Sequence, residues 1–142
     1  MLLTRNSHYL FFVSKINNSP KQINKFSLNK KEVVAKFEDP AFAGGIHSMA
    51  LSPDANSLYI ATQNVLHQFS LKDGKVIQSR NIREDTDMNW AIVYAMRVTK
   101  NNQYLVTGTT YIGSPDKDKQ EEVPIGGPVC VWSTKDLTLV KT

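Results

Sequence analysis

Two Asp-x-Asp spacings, Asp85-x-Asp87 and Asp116-x-Asp118, put carboxylates at an interval used by calcium loops. Such a loop also needs further spaced oxygen ligands, a glycine at its sharp turn and a closing glutamate, and neither stretch supplies the set. The three histidines, His8, His47 and His67, share no metal-ligand spacing. Cys130 lies between two valines with no adjacent His or Lys to lower its pKa, so it reads as a small packing residue. No nucleophile elbow surrounds any serine. Neither Gly44-Gly45 nor Gly126-Gly127 is followed by the Gly-Lys-Ser/Thr of a phosphate loop. The expectation is a chain that is not an enzyme and holds no metal or cofactor.

Composition narrows the class further. At 142 residues with 41% hydrophobic content, the chain can bury one core. It has no run of about 18 apolar residues, so no membrane helix is expected. The apolar run Leu10-Phe11-Phe12-Val13 is too short for a signal-peptide core. A single cysteine forms no internal disulfide, which points to a reducing, intracellular setting, cytoplasmic with the cytoskeleton or the nucleus as alternatives. Net charge is +4, with Lys outnumbering Arg 13 to 4. The basic residues are dispersed over predicted turns and alternate strand positions, as on a solvated surface, and nucleic acid is not an expected partner.

The elements that position these residues are short strands. Ile46 to Leu51 stops at Ser52-Pro53-Asp54, a turn signal, and Ser57 to Thr62 is rich in strand formers. Val65 to Leu71 follows the Gln63-Asn64 turn, and an Asp73-Gly74 hairpin signal leads into Val76 to Ser79. The layout recurs. Asn6-x-x-Tyr9, Asn56-x-x-Tyr59 and Asn101-x-x-Tyr104 each open an apolar run, followed by Phe26-Ser27, Phe69-Ser70 and Trp132-Ser133. Val33, Val76 and Leu139 each stand seven positions past the aromatic. Repeats of about 40 to 50 residues built from short strands are the mark of a β-propeller blade. Sustained helical spacing is missing everywhere, and the best window, Trp90 to Val98, is short and β-branched.

The stretch Ile46-His-Ser-Met-Ala-Leu-Ser-Pro-Asp-Ala resembles the opening strand and turn of a WD40 repeat, and Val129-Cys-Val-Trp-Ser133 resembles its third strand. No Gly-His pair precedes the opening strands, serine follows each aromatic where the family often has aspartate, and the aspartate of the turn before the third strand is missing. Of the family's His-Ser/Thr-Asp-Trp network, only Thr109 and Trp132 stand at matching positions. The resemblance implies an all-β fold of antiparallel four-stranded blades: residues 1–39 lacking a first strand, then 44–82, then 91–142. That makes eleven strands, about 2.75 blades of an incomplete propeller, divergent from WD40. Lactonase-type propellers share the short turn at Gln63-Asn64, so part of a propeller hydrolase is the alternative. Propellers close with roughly four to eight blades. Expected partners are therefore other proteins together with remaining blades or identical copies that complete the ring, and a missing first strand favours a truncated chain.

Loop lengths select a face. Third-to-fourth connections are uniform, while second-to-third connections vary from Gln63-Asn64 to the long, charged stretch Tyr111 to Pro128. Insertions on one face often mark a binding face. Candidate partner-binding residues there are Tyr111, Asp116, Lys117, Asp118, Glu121 and Glu122, with Asp85, Asp87 and Trp90 from the blade linker on the same face. Trp90 fits either a contact hot spot or a plug between blades. His47, at the entrance of an innermost strand, is where a channel-facing ligand would sit.

Overall fold

A computed structural model describes residues 1–15, 22–86, 92–113 and 123–142. Twelve strands are present among them: β1 (Leu2–Leu3), β2 (Tyr9–Ser14), β3 (Gln22–Ser27), β4 (Glu32–Phe37), β5 (Ile46–Leu51), β6 (Ser57–Thr62), β7 (Val65–Ser70), β8 (Lys75–Asn81), β9 (Ile92–Val98), β10 (Tyr104–Gly113), β11 (Val123–Ser133) and β12 (Leu139–Lys141). They form three four-stranded antiparallel sheets in sequential order, β1 to β4, β5 to β8 and β9 to β12. The first sheet does have an inner strand: Leu2 and Leu3 pair with Phe11 and Leu10. Two residues carry no readable alternation, which is why the sequence yields eleven strands. The described helices are a 3-10 turn at Pro40–Phe42 and α1 (Ile82–Asp85), both in connections between sheets.

Each sheet is built on the same two turns. Between first and second strands, Tyr9, Ser57 and Tyr104 donate their backbone N–H to Thr4 Oγ1 (3.1 Å), Ser52 Oγ (2.9 Å) and Thr99 Oγ1 (3.0 Å). Those hydroxyls donate in turn to Asn6, Asp54 and Asn101. Ser7, Ala55 and Asn102 take left-handed φ values of 54°, 57° and 58° at the same step. Ser/Thr-x-Asn/Asp is therefore the register mark, because the side-chain bonds satisfy backbone donors that the tight turn leaves over. It aligns Tyr9 with Ser57 and Tyr104. The Asn56-x-x-Tyr59 match expected from sequence is displaced by two residues, since Tyr59 is the third residue of its strand.

The uniform seven-residue offset corresponds to three like hairpins. Phe26 pairs with Val33, Phe69 with Val76 and Trp132 with Leu139, each beside a register shift. Lys31, Gly74 and Leu137 close these turns at φ 57°, 66° and 54°, donating to the carbonyls of Ser27, Ser70 and Ser133. Ser27 and Ser70 also accept a loop N–H through their hydroxyls.

Strand alternation then decides the packing. Leu58 and Ile60 face the first sheet and join Phe11, Ile23 and Phe69 in one core; Tyr59 and Ala61 face the third sheet and join Leu105, Cys130 and Trp132 in another. The second strand of the middle sheet is thus buried on both faces, which explains the continuous apolar run Leu58 to Ala61. Phe42 and Ile82, from the two connections, are fully buried in these same cores. Phe69 meets Phe37 edge-on and Phe42 at a tilt, with ring centroids 5.5 and 5.6 Å apart, a favourable aromatic geometry.

Candidate protein-interaction surface

Antiparallel alternation puts the second-to-third connections at the same end of the sheets as the connections between sheets. Local contacts hold that end together: Ile82 N donates to Asn64 O at 2.8 Å, and Gly44 packs on the Gln63 side chain. At the opposite end the two kinds of turn are tied to each other, with Leu28 N, Leu71 N and Thr134 N donating to the carbonyls of His8, Asn56 and Gln103.

The insertion in the third sheet is carried on a strand pair. β10 and β11 run well past the other strands as a ribbon in which Thr110, Tyr111, Ile112 and Gly113 pair with Gly126, Ile125, Pro124 and Val123. Four further pairs add about 13 Å at roughly 3.3 Å per residue. A bulge marks where the ribbon leaves the blade. Gly127 is required there: a Cβ would stand 2.5 Å from Thr109 Oγ1 and 2.9 Å from Thr109 O. Of the second Gly-Gly pair, Gly127 therefore serves backbone approach, while a Cβ at Gly126 would meet nothing within 4 Å. From the sequence the third strand is expected to begin at Val129, because the glycines and prolines before it hide the ribbon.

Of the predicted contact residues, Tyr111 lies in this ribbon, and Asp85 ends α1 at the same end of the molecule. Asp85 is bound to its neighbour: Arg80 Nε and Nη2 donate to its two oxygens at 2.5 Å. Those bonds hold its carboxyl below the usual carboxylate range, against a smaller opposing effect of burial. His47 is half-buried in innermost strand β5, beside the bulge between Ile46 and Ser48. Asp87, Trp90, Asp116, Lys117, Asp118, Glu121 and Glu122 fall outside the described residues.

The other chemistry-bearing groups are engaged structurally. His67 is buried between Thr62 Oγ1 (2.8 Å from Nε2) and Ser79 Oγ (2.7 Å from Nδ1). Burial pushes the Cys130 thiol pKa up. The partner of Trp132 is Thr107, not Thr109: Trp132 Nε1 donates to Thr107 Oγ1, while Thr109 Oγ1 donates to Pro128 O. The cleft at this end, about 400 Å³, is lined by Gln63, Asn64, His67 and Arg83 among others. Sequence reasoning missed a larger cavity of about 1040 Å³ at the opposite end, where Arg5, Lys25, Arg97 and Lys100 approach the turns of all three sheets. Its cations come from three separate stretches of the chain, around Arg5, Lys25 and Arg97 to Lys100, and no local pattern unites them.

No family model and no curated protein matches the sequence. Solved structures do. Hydrazine synthase from Kuenenia stuttgartiensis superposes with a TM-score of 0.62 at 13% identity, covering 93% of this chain and 38% of that one. The β-propeller domain of Cps50 (Swd1) from Myceliophteria thermophila gives 0.57 at 18% identity, covering 89% and 36%. The fold is a partial β-propeller. At these identities the likeness concerns fold alone, and the chain spans little more than a third of the structures it matches. Among the described residues no helix is long and apolar enough to cross a membrane.

Proposed function

We propose that this chain is a non-catalytic protein–protein interaction scaffold, a WD40-like propeller segment that presents a partner with the end carrying its insertions. The reading rests on the β10–β11 ribbon. Paired strands hold a backbone that a loose loop would leave free, so less ordering is needed when a partner docks. The ribbon leads directly to the charged stretch Asp116 to Glu122, whose two lysines flanked by four carboxylates favour a partner of mixed or basic surface. The engagement of His67, Cys130 and Asp85 in packing and local bonds supports a non-catalytic role.

The test replaces residues 112–127 with a two-residue Asn-Gly turn. Quantitative affinity capture then compares bound proteins for the two forms, with thermal melting as the folding control. Loss of specific partners at unchanged melting temperature is expected. Equal capture of every partner would remove this end as the binding face.

A further inference from the structure

The end opposite the insertions carries cations that its own carboxylates do not pair. Its turns hold Arg5, Lys30, Lys31, Lys72, Lys100 and Lys135 against Asp54, Asp73 and Asp136. Each of these carboxylates accepts from a hydroxyl of its own turn: Asp54 from Ser52, Asp73 from Ser70 and Asp136 from Thr138. The ion pairs among the described residues, Arg80 with Asp85 and with Glu84, lie at the insertion end.

The cavity of about 1040 Å³ opens at this basic end and is bounded by all three sheets. Arg5 and Lys25 line it from the first sheet and Arg97 and Lys100 from the third, against the one carboxylate of Asp54 from the second. Lys25 Nζ stands 4.1 Å from the centroid of the Tyr9 ring, a cation–π contact that places the charge without neutralising it. Leu2, Leu51 and Val98, one from each sheet, are half-buried and add apolar lining.

The backbone discriminates between kinds of anion. Phosphate is held by successive backbone N–H groups left open in a turn. Here three consecutive N–H groups of each first-to-second turn are already bonded. Those of Ser7, His8 and Tyr9 donate to Thr4 and Asn6, those of Ala55, Asn56 and Ser57 to Ser52 and Asp54, and those of Asn102, Gln103 and Tyr104 to Thr99 and Asn101. What the cavity offers is side-chain charge dispersed over two sheets, together with apolar surface. Carboxylates spaced along an extended peptide match the dispersed charge, and apolar side chains between them match the lining.

We propose that this cavity is a second docking site, which takes an acidic segment of a partner protein with apolar side chains among its carboxylates. The site goes beyond the ribbon reading and is independent of it, because the two lie at opposite ends of the sheets.

The test screens the full chain against an array of short synthetic peptides that combine Glu or Asp with Leu or Phe in varied order. Fluorescence anisotropy of the best binder follows. Saturable binding at low salt is expected, and replacing the acidic residues of the peptide by Gln and Asn should abolish it. Arg5→Glu combined with Lys100→Glu reverses two exposed charges and should weaken binding about tenfold or more at unchanged melting temperature. If that pair lowers the melting temperature, Arg97→Gln combined with Lys100→Gln gives the same reading with a milder change. The chain with residues 112–127 replaced by Asn-Gly should bind the peptide as the native chain does, so the two sites fail or succeed separately. No binder anywhere in the array would overturn the proposal, as would binding that the charge variants leave intact. Inorganic pyrophosphate binding more tightly than every peptide would also overturn it, by making the cavity a phosphate site.

Discussion

Trp132 Nε1 donates to Thr107 Oγ1 at 3.0 Å, with both side chains fully buried at the junction of the second and third sheets. The bond joins β11 to β10, fixing the largest buried side chain of that core against its own sheet. A single residue, Thr107, supplies the acceptor from within the blade. The longer network of the resembled family is not needed to satisfy the indole.

Thr107→Val keeps the shape of this site and removes the acceptor. A buried indole N–H left without a partner costs roughly 1–3 kcal/mol. Denaturant unfolding of Thr107→Val, Trp132→Phe and the double variant should show coupling. The threonine substitution is expected to cost about 1 kcal/mol less when the tryptophan is already phenylalanine. Additive effects would mean that the bond adds nothing to stability.

The three third-to-fourth turns predict opposite outcomes for one substitution. Lys31 and Leu137 hold the same left-handed conformation that Gly74 holds in the middle sheet. Lys31 is exposed, so Lys31→Gly relieves the steric cost of that conformation and should stabilise by about 1 kcal/mol. Leu137 is fully buried in the core around Trp132, so Leu137→Gly loses its packing and should destabilise by roughly 2–5 kcal/mol. Thermal melting of the two variants distinguishes the cases by sign.

These turns also show what was legible in the sequence. The offset from Phe26, Phe69 and Trp132 to the fourth strand is set by hairpin geometry, and hairpin geometry is local, so the sequence carries it openly. Leu137 gives no such signal, because a leucine at positive φ is stable only where tertiary packing holds it. The faces of the sheets follow from alternation at Leu58, Tyr59, Ile60 and Ala61. The pairing of Trp132 with Thr107 rather than Thr109 follows from the cross-strand register, in which Trp132 stands opposite Leu105 and Thr107 opposite Cys130, and register is not a local property of the sequence. At the candidate surface, the insertion end was readable from loop lengths. The ribbon that carries it was masked by Gly126, Gly127 and Pro128. Asp85 looked free because its partner Arg80 lies on β8, before the helix that presents Asp85.

His67 sets the last prediction, a pH dependence. Burial among Thr62, Ser79 and the strands around them lowers its pKa from the ordinary 6.5, with the negative charge of Asp39 opposing in part. The unfolded chain therefore binds this proton at a pH where the folded chain does not. Stability is fully present above pH 6.5 and falls as pH drops from there towards the folded value, with a slope of up to about 1.4 kcal/mol per pH unit. Replacing the imidazole by His67→Gln removes the titrating group while retaining a polar side chain for Thr62 and Ser79. Unfolding free energies measured in steps below pH 6.5 should fall more steeply for the native chain than for the variant, narrowing the gap between them. Parallel curves would mean that His67 takes up its proton equally well folded and unfolded, and the account of a neutral imidazole buried between two hydroxyls would be wrong.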